Sequence, residues 1–483
     1  MTVPWLTLTW LVPAVAGALL PRSGRAALAI ATATHLFGLV VAIALFLRMV
    51  GVLPGVTPSE ALGFGGGLRY HASADGLVVV FLALVSLVGQ LVTLFGPRAH
   101  RGDLPAWLGA VAWMQASITG MLVSTDLLQF ALFFGAEVVP CTLLLSRYGV
   151  TAERGWVARR VGVFLGLGAA LFAGGALFLG QAHLAATGSW STAPADIAAL
   201  ALPPETAQLA MALLLVGLVV RAPLFPFHGW LPLSLEHGPV VGLNVFLLGV
   251  KVAVVAVVRL LLPALPGAAA DLAPVVTALG AASLVYGTLM AVTQTRLRRL
   301  LAFLALAHMG AILPALFSGT PHSVQGAVLE ALNLGVAAAG LNFAVGFLHV
   351  RAGSSDFEAL RRVGPSMPRL AAAFFVVALA SVGMPGTLGF DALHLVLEGA
   401  LEDGRYGTAA LLAVGTVASA AALLLAFQRI FLADTPRESA PADLGPSEIL
   451  TVGLLCALVL TGPPDRHPLL HLMARAVHAS EAP

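Results

Sequence analysis

The stretch "LVVRAPLFPFHGWLP", residues 218–232, sets three prolines, Pro223, Pro226 and Pro232, inside an otherwise apolar run. Each proline lacks a backbone N–H and crowds the preceding turn, so no regular helix runs through the segment. In a bilayer, the backbone groups freed by such a break survive only inside protein or along a wet cavity. A second stretch, "ASVGMPGTLGFDALHL" at 380–395, is broken in a similar way by Gly383, Pro385, Gly386 and Gly389. Polar residues cluster at both breaks. Two ordinary proline kinks are the plainer reading. A matched pair of broken segments instead predicts internal repeats with a transport path at the breaks.

Outward from these breaks the chain is apolar throughout. Its 483 residues are 59% hydrophobic and 10% charged, with mean hydropathy +0.95. A soluble chain carries about 25% charged residues. Runs of about 20 apolar residues, each long enough to cross a bilayer core, recur from end to end. The alternating ten-residue segments of a membrane barrel do not appear. The sequence therefore predicts an all-α polytopic membrane protein with fourteen transmembrane helices. They lie near 3–20, 26–48, 76–96, 106–123, 126–146, 161–182, 205–225, 240–262, 272–294, 298–318, 324–350, 368–398, 406–432 and 446–463. Spans 7 and 12 are the broken ones. The expected organisation is an N-terminal three-helix segment (1–105), two inverted five-helix repeats (106–263 and 264–432), and a last span with its tail (433–483).

Arginines crowd the loops after spans 1, 3, 5, 9, 11 and 13, and the loops after spans 6, 8 and 10 hold none. The positive-inside rule then makes the first set cytoplasmic and places both termini on the outer, periplasmic side of a bacterial-type inner membrane. The N-terminal apolar run has its arginines after it and none before it, which reads as a first span rather than a cleaved signal peptide. The loops are too short for a soluble catalytic domain.

Several function classes drop out. The formal net charge of +2 and the lack of a basic, aromatic-interleaved patch argue against nucleic acid as a partner. Cys141 and Cys456 lie in apolar segments without a CxxC or a His/Cys cluster, so neither a metal centre nor a disulfide is expected. "GFGGGLR" (63–69) reads as a polar loop with no strand before it, not as a nucleotide site. One charge stands out in "NVFLLGVKVAVVAVVRLLLP" (244–263). Lys251 is the only lysine of the chain and sits inside a span. A buried lysine has its pKa lowered by desolvation and can exchange a proton, whereas a lysine near a span end would snorkel to the surface.

Five stretches together carry a family resemblance: "RYHASADGLVVVFLALVSLVGQLVTL" (69–94), "STDLLQFALFFGAEVVPCTLLLSRYG" (124–149), "RAPLFPFHGWLPLSLEHGP" (221–239), "TLMAVTQTRLRRLLAFLALAHMGA" (288–311) and "MPRLAAAFFVVALASVGMPGTLGF" (367–390). The chain resembles the antiporter-like membrane subunits of proton-pumping NADH:quinone oxidoreductase, of the chain M (chain 4) type. The same fold serves sodium/proton antiporter, membrane-bound hydrogenase and inorganic-carbon uptake complexes. The resemblance implies a subunit with no cofactor of its own, embedded in the lipid bilayer among other membrane subunits. Such a subunit passes protons, or alternatively sodium, along a midplane row of charged residues. In a complex of the other kind it would serve uptake or antiport, and without conduction it would be a membrane scaffold.

Carried over by position, the resemblance makes Lys251 the span-8 relay lysine and His308 the span-10 relay histidine. Arg221 stands where the family has a span-7 lysine. Arginine keeps its proton, which leaves it the role of fixed counter-charge or gate. His228 either lines the path or bonds structurally at the break. Three family positions are occupied by Gly135, Leu334 and Leu393. Acids and a histidine stand nearby: Glu137 on span 5, Glu330 with Asn333 on span 11, and Asp391, His394 and Glu398 on span 12. Glu137 lies two residues past Gly135, about 200° around a regular helix. It is therefore expected to serve only where span 5 is locally unwound or its partner lies elsewhere.

Overall fold

The computed structural model describes residues 4–54, 59–63, 69–99, 102–241, 251–434 and 441–460, with the backbone alone at Lys251. The chain is a bundle of long helices with one small hairpin. The first five helices are α1 (Trp5–Leu19), α2 (Ala27–Met49), α3 (Gly76–Ala99), α4 (Leu104–Val123) and α5 (Leu127–Tyr148). They are followed by α6 (Arg154–Thr187), α7 (Pro204–Arg221), α8 (Trp230–His237) and α9 (Lys251–Ala256). A π-turn, Val257–Leu261, continues α9. The second half holds α10 (Pro266–Val292), α11 (Leu297–Leu316), α12 (Pro321–Ala352), α13 (Pro368–Ser381), α14 (Leu388–Glu402), α15 (Tyr406–Phe431) and α16 (Pro446–Val459). Short helical turns between them are left unnumbered.

Among the described residues ten helices are individually long and apolar enough to cross a membrane, or eleven if one bent pair counts as a span. The expected fourteen spans are not all of that kind. The first and last expected spans appear as helices of 15 and 14 residues, and spans 7 and 12 are divided at their breaks. The expected span 8 begins in residues outside the described set.

The ends of the helices follow local chemistry. Asp126 caps α5 by accepting from the N–H groups of Leu128 (2.9 Å) and Gln129 (3.0 Å). Proline opens α7, α10, α12, α13 and α16, where its missing N–H costs nothing. At α1 the cap comes from far along the chain. Glu60 accepts from Leu6 N (2.7 Å), Thr7 N (2.9 Å) and Thr7 Oγ1 (2.6 Å).

Glu60 belongs to the antiparallel hairpin β1 (Ser59–Gly63) and β2 (Arg69–Ser73). This corrects the expectation that no strand precedes "GFGGGLR": strands flank that glycine run on both sides. The hairpin rests where α1, α3 and α5 begin and α4 ends. His71 N donates to Gln129 Oε1 (3.0 Å), and Thr125 Oγ1 donates to the His71 carbonyl (2.9 Å). The opposite end of the bundle is the arginine face. There Arg351 holds Glu448 (2.8 Å), Arg296 bridges Glu236 and Asp356, and Arg98 reaches Ser447. Helix direction thus alternates from α1 to α5 as the arginine spacing predicts.

The centre of the molecule is α12. The most apolar stretch of this 32-residue helix is entirely buried, while only a third of the corresponding stretch of α15 is. Against α12 packs the second break. Gly383 (φ 71°) and Gly386 (φ 86°) take left-handed backbone between α13 and α14, a conformation other residues reach only at a cost. Small residues draw α10 and α11 together. A Cβ at Gly310 would lie 2.4 Å from the Gly280 carbonyl oxygen. Helix backbones in a membrane approach this closely only over such residues. Gly310→Val should force the pair apart at a cost of about 1–3 kcal/mol. A thermal unfolding scan of the purified chain in detergent measures this, and an unchanged melting temperature would contradict the close packing.

Candidate functional site

At the first break the backbone accounts for its own polar groups. Pro223 offers no N–H, so the Val219 carbonyl takes Leu224 N (3.4 Å) instead. The Val220 carbonyl receives Trp230 Nε1 (2.7 Å) from the start of α8. Phe225 N donates to Ser283 Oγ on α10 (2.9 Å). Beyond the break, α8 ends on a buried cation: Arg298 donates to the carbonyls of Gly238 (2.9 Å) and Pro239 (2.7 Å). A cation suits this helix terminus, where free carbonyls gather negative potential.

Arg221 is the last residue of α7, at the lip of the break. It meets Glu137 of α5 in a two-pronged ion pair: Nε donates to Oε2 (2.7 Å) and a terminal amino nitrogen to Oε1 (2.7 Å). The two side chains are 2% and 1% exposed, so the charges are compensated within the protein. Of the two alternatives expected for Glu137, an unwound helix or a partner elsewhere, the structure has the second. α5 is unbroken from Leu127 to Tyr148, and Phe130, Phe134, Glu137, Cys141 and Leu144 form its buried face. Gly135 lies on the other side, where an added Cβ would meet open space. Matching from Asp126 and Pro140 counts residues correctly, but it does not reveal which face of the helix turns inward.

His228 lies in the break, within an aromatic clasp. Its ring stacks on Phe225 (5.8 Å between centroids) and leans on Tyr286 (4.9 Å) and Phe303 (6.3 Å). Its Nδ1 is buried and has no hydrogen-bond partner among the described residues.

At the second break, His308 of α11 and Glu330 of α12 are joined, His308 Nδ1 to Glu330 Oε1 at 2.7 Å. Asn333 donates through Nδ2 to Glu330 Oε2 (3.2 Å). The sequence reading held His308 and Glu330 apart as separate candidates, and helix packing brings them together. Gly389 makes room for this group, since a Cβ there would lie 2.0 Å from the Ala380 carbonyl oxygen and 2.7 Å from Asn333 Nδ2. Two small cavities adjoin His308. One, of about 30 Å³, is also lined by Glu330, Ser381, Gly383, Leu393 and Ser419. The other, of about 20 Å³, is also lined by Leu334, Asn342 and Ser381. A water needs about 10–15 Å³ of such space, so each has room for one or two. Leu334 and Leu393 therefore face the cavities with apolar side chains.

The remaining candidates lie elsewhere. Asp391 is half-buried on α14, while His394 and Glu398 are exposed on the same helix, with His394 stacked on Phe390 (6.0 Å). Lys251 opens α9, and its side chain, like residues 242–250, lies outside the described residues. Its backbone is eight residues, about 12 Å of helix, before Arg259. Arg259 is held at the hairpin end by Asp75 (2.9 Å) and Ser73 Oγ (2.6 Å). Lys251 is thereby set well inside the bundle. Arg259 and Arg298 went unsingled in the sequence. Arg259 had a usable signal, a second charge in the apolar run of Lys251. Arg298 had none that separates it from Arg296 and Arg299.

Breaking one side of the buried pair leaves the other charge unpaired. Glu137→Ala should destabilise the chain by about 3–5 kcal/mol, while the paired change Glu137→Leu with Arg221→Met should cost much less. Comparing melting temperatures of the single and paired variants tests this. Equal losses would mean that the two charges are not coupled.

The geometry agrees with what the chain is similar to. Residues 124–420 match the family described as NADH:quinone oxidoreductase/Mrp antiporter, TM. NADH-quinone oxidoreductase subunit 13 of Thermus thermophilus is 30% identical, over 85% of this chain and 87% of its own length. A chain of the Thermus thermophilus respiratory complex I structure superposes with a TM-score of 0.88 at 28% identity, covering 99% of this chain and all of that one. A chain of the Mrp complex of a Dietzia species shares the fold, with a TM-score of 0.86 at 21% identity over 99% of this chain and 97% of its own. With more than half its length matched by the family, the chain belongs to the NADH:quinone oxidoreductase/Mrp antiporter membrane family.

Proposed function

We propose that this chain is a proton-translocating, antiporter-like membrane subunit of a complex I-type NADH:quinone oxidoreductase. The observation that carries the reading is the pairing of ionisable side chains at both helix breaks. Glu137–Arg221 lies at the first and His308–Glu330 beside the second, in a chain whose relatives along most of its length are subunits M and 13 of that enzyme. Arg221 acts as a fixed positive charge paired with Glu137. A proton arriving at Lys251 displaces charge along the row toward His308. The His308–Glu330 pair takes the proton and passes it through the small cavities that adjoin His308. In this reading the two five-helix repeats, 106–263 and 264–432, are the two half-paths, and the chain contributes no redox centre.

Exposed charge on α14 supports the expected assembly with other membrane subunits. His394 is six residues, about 9 Å, beyond the start of α14 at the break. A charged or polar side chain facing hydrocarbon is costly, so a neighbouring protein helix covers this side. The arginine face is taken as cytoplasmic and the hairpin face as periplasmic, with both termini on the latter.

A related reading keeps the fold and the ion path but places the chain in an ion-uptake or antiport complex. Leu334 and Leu393 in the cavity walls favour it, since a path lined this way differs from the family's pattern. Mass spectrometry of the complex purified gently through this chain separates the two by its partner chains. For the relay itself, Lys251→Ala should abolish coupled proton transport in proteoliposomes of the assembled complex. Wild-type pumping by that variant would remove Lys251 from the path.

A further inference from the structure

Away from both breaks, a groove of about 730 Å³ opens beneath the hairpin, between β2 and the start of α5. One wall is aromatic: Trp10, Tyr70, Phe133 and Trp190. Arg69 stands at the rim, exposed, and no carboxylate among the described residues pairs with it. Gln129 forms part of the wall. Its Oε1 is engaged by His71 N, but its Nε2 is buried without a hydrogen-bond partner. The carboxylate in the lining, Asp126, is turned inward onto the first N–H groups of α5 and the Thr192 hydroxyl (2.8 Å). The free polar groups of the groove are therefore donors, one of them cationic.

The groove's lining reaches Leu132, on an exposed and apolar side of α5. Leu132 (67% exposed), Ala136 and Val139 (58% exposed) continue it downward at helical spacing. At Gly135 an added Cβ would meet open space, which leaves a shallow furrow beside this row. A cationic, donor-lined pocket above an apolar furrow, ringed by tryptophan and tyrosine at the end of the bundle, matches the chemistry of the membrane interface. We propose that this groove is a binding site for one glycerophospholipid. Its phosphate would be held by Arg69 and Gln129, and an acyl chain would lie along Leu132, Ala136 and Val139. Such a lipid would cement the hairpin to α5, the helix that carries Glu137.

The test uses the full chain purified in detergent with its partner subunits, then offered phosphatidylglycerol in mixed micelles. Native mass spectrometry counts the lipid retained, and a thermal scan records the shift it causes. Arg69→Gln removes the cation from an exposed strand. Gln129→Glu keeps the acceptor for His71 N but replaces the unpaired donor with an anion. Each should weaken retention about tenfold or more, the loss expected for a hydrogen bond to a charged group. Leu132→Asp should weaken it through the furrow. Equal retention by wild type and Arg69→Gln overturns the proposal, and this variant decides the question even if Gln129→Glu folds poorly. Displacement of the lipid by glycerol 3-phosphate or inorganic phosphate at similar concentration also overturns it, because the acyl chain would then contribute nothing.

Discussion

A bilayer offers no water to a freed backbone group, and the rest of the structure answers to that constraint. At both places where a helix is interrupted, polar groups on neighbouring segments therefore come in to meet the break. Trp230 and Ser283 serve the first break, and Asn333 with the Ala380 backbone packs against the second. The full burial of the apolar stretch of α12 follows from the same demand. A helix must run through the centre of the bundle so that the second break and its polar neighbours have a protein wall to lean on.

Charge obeys a stricter version of the rule. An ionised side chain out of water is tolerated when an opposite charge meets it with good geometry, and Arg221 with Glu137 has two short hydrogen bonds. Arginine suits this place because its planar fork matches a carboxylate and it does not give up its proton. His308 with Glu330 is a different kind of pair. Imidazole can hold or release a proton near neutral pH, and it lies beside cavities wide enough for water. One break thus holds a guanidinium–carboxylate pair and the other an imidazole–carboxylate pair.

The resemblance to the antiporter-like subunits was strong enough in the sequence to name the places that matter. Leu334 and Leu393, which stand at two of the family positions, line the cavities beside His308. What the comparison missed was a change of face. The acid of α5 stands two residues from its expected place, and the structure turns that residue inward rather than Gly135.

By itself, the sequence determined the membrane setting, the all-helical class, the two breaks and the segregation of arginine to one end. Those properties depend on composition and on the local chemistry of proline, glycine and charge, which any short window displays. Tertiary structure decided the rest. It chose the buried face of α5, joined His308 to Glu330, and turned Arg298 from a loop charge into the partner of the α8 carbonyls. It also seated the hairpin on α1 and α5. Each of these depends on the rotation of one helix against another. A few tens of degrees move a side chain from hydrocarbon to a partner, and only the packing of the whole bundle sets that angle.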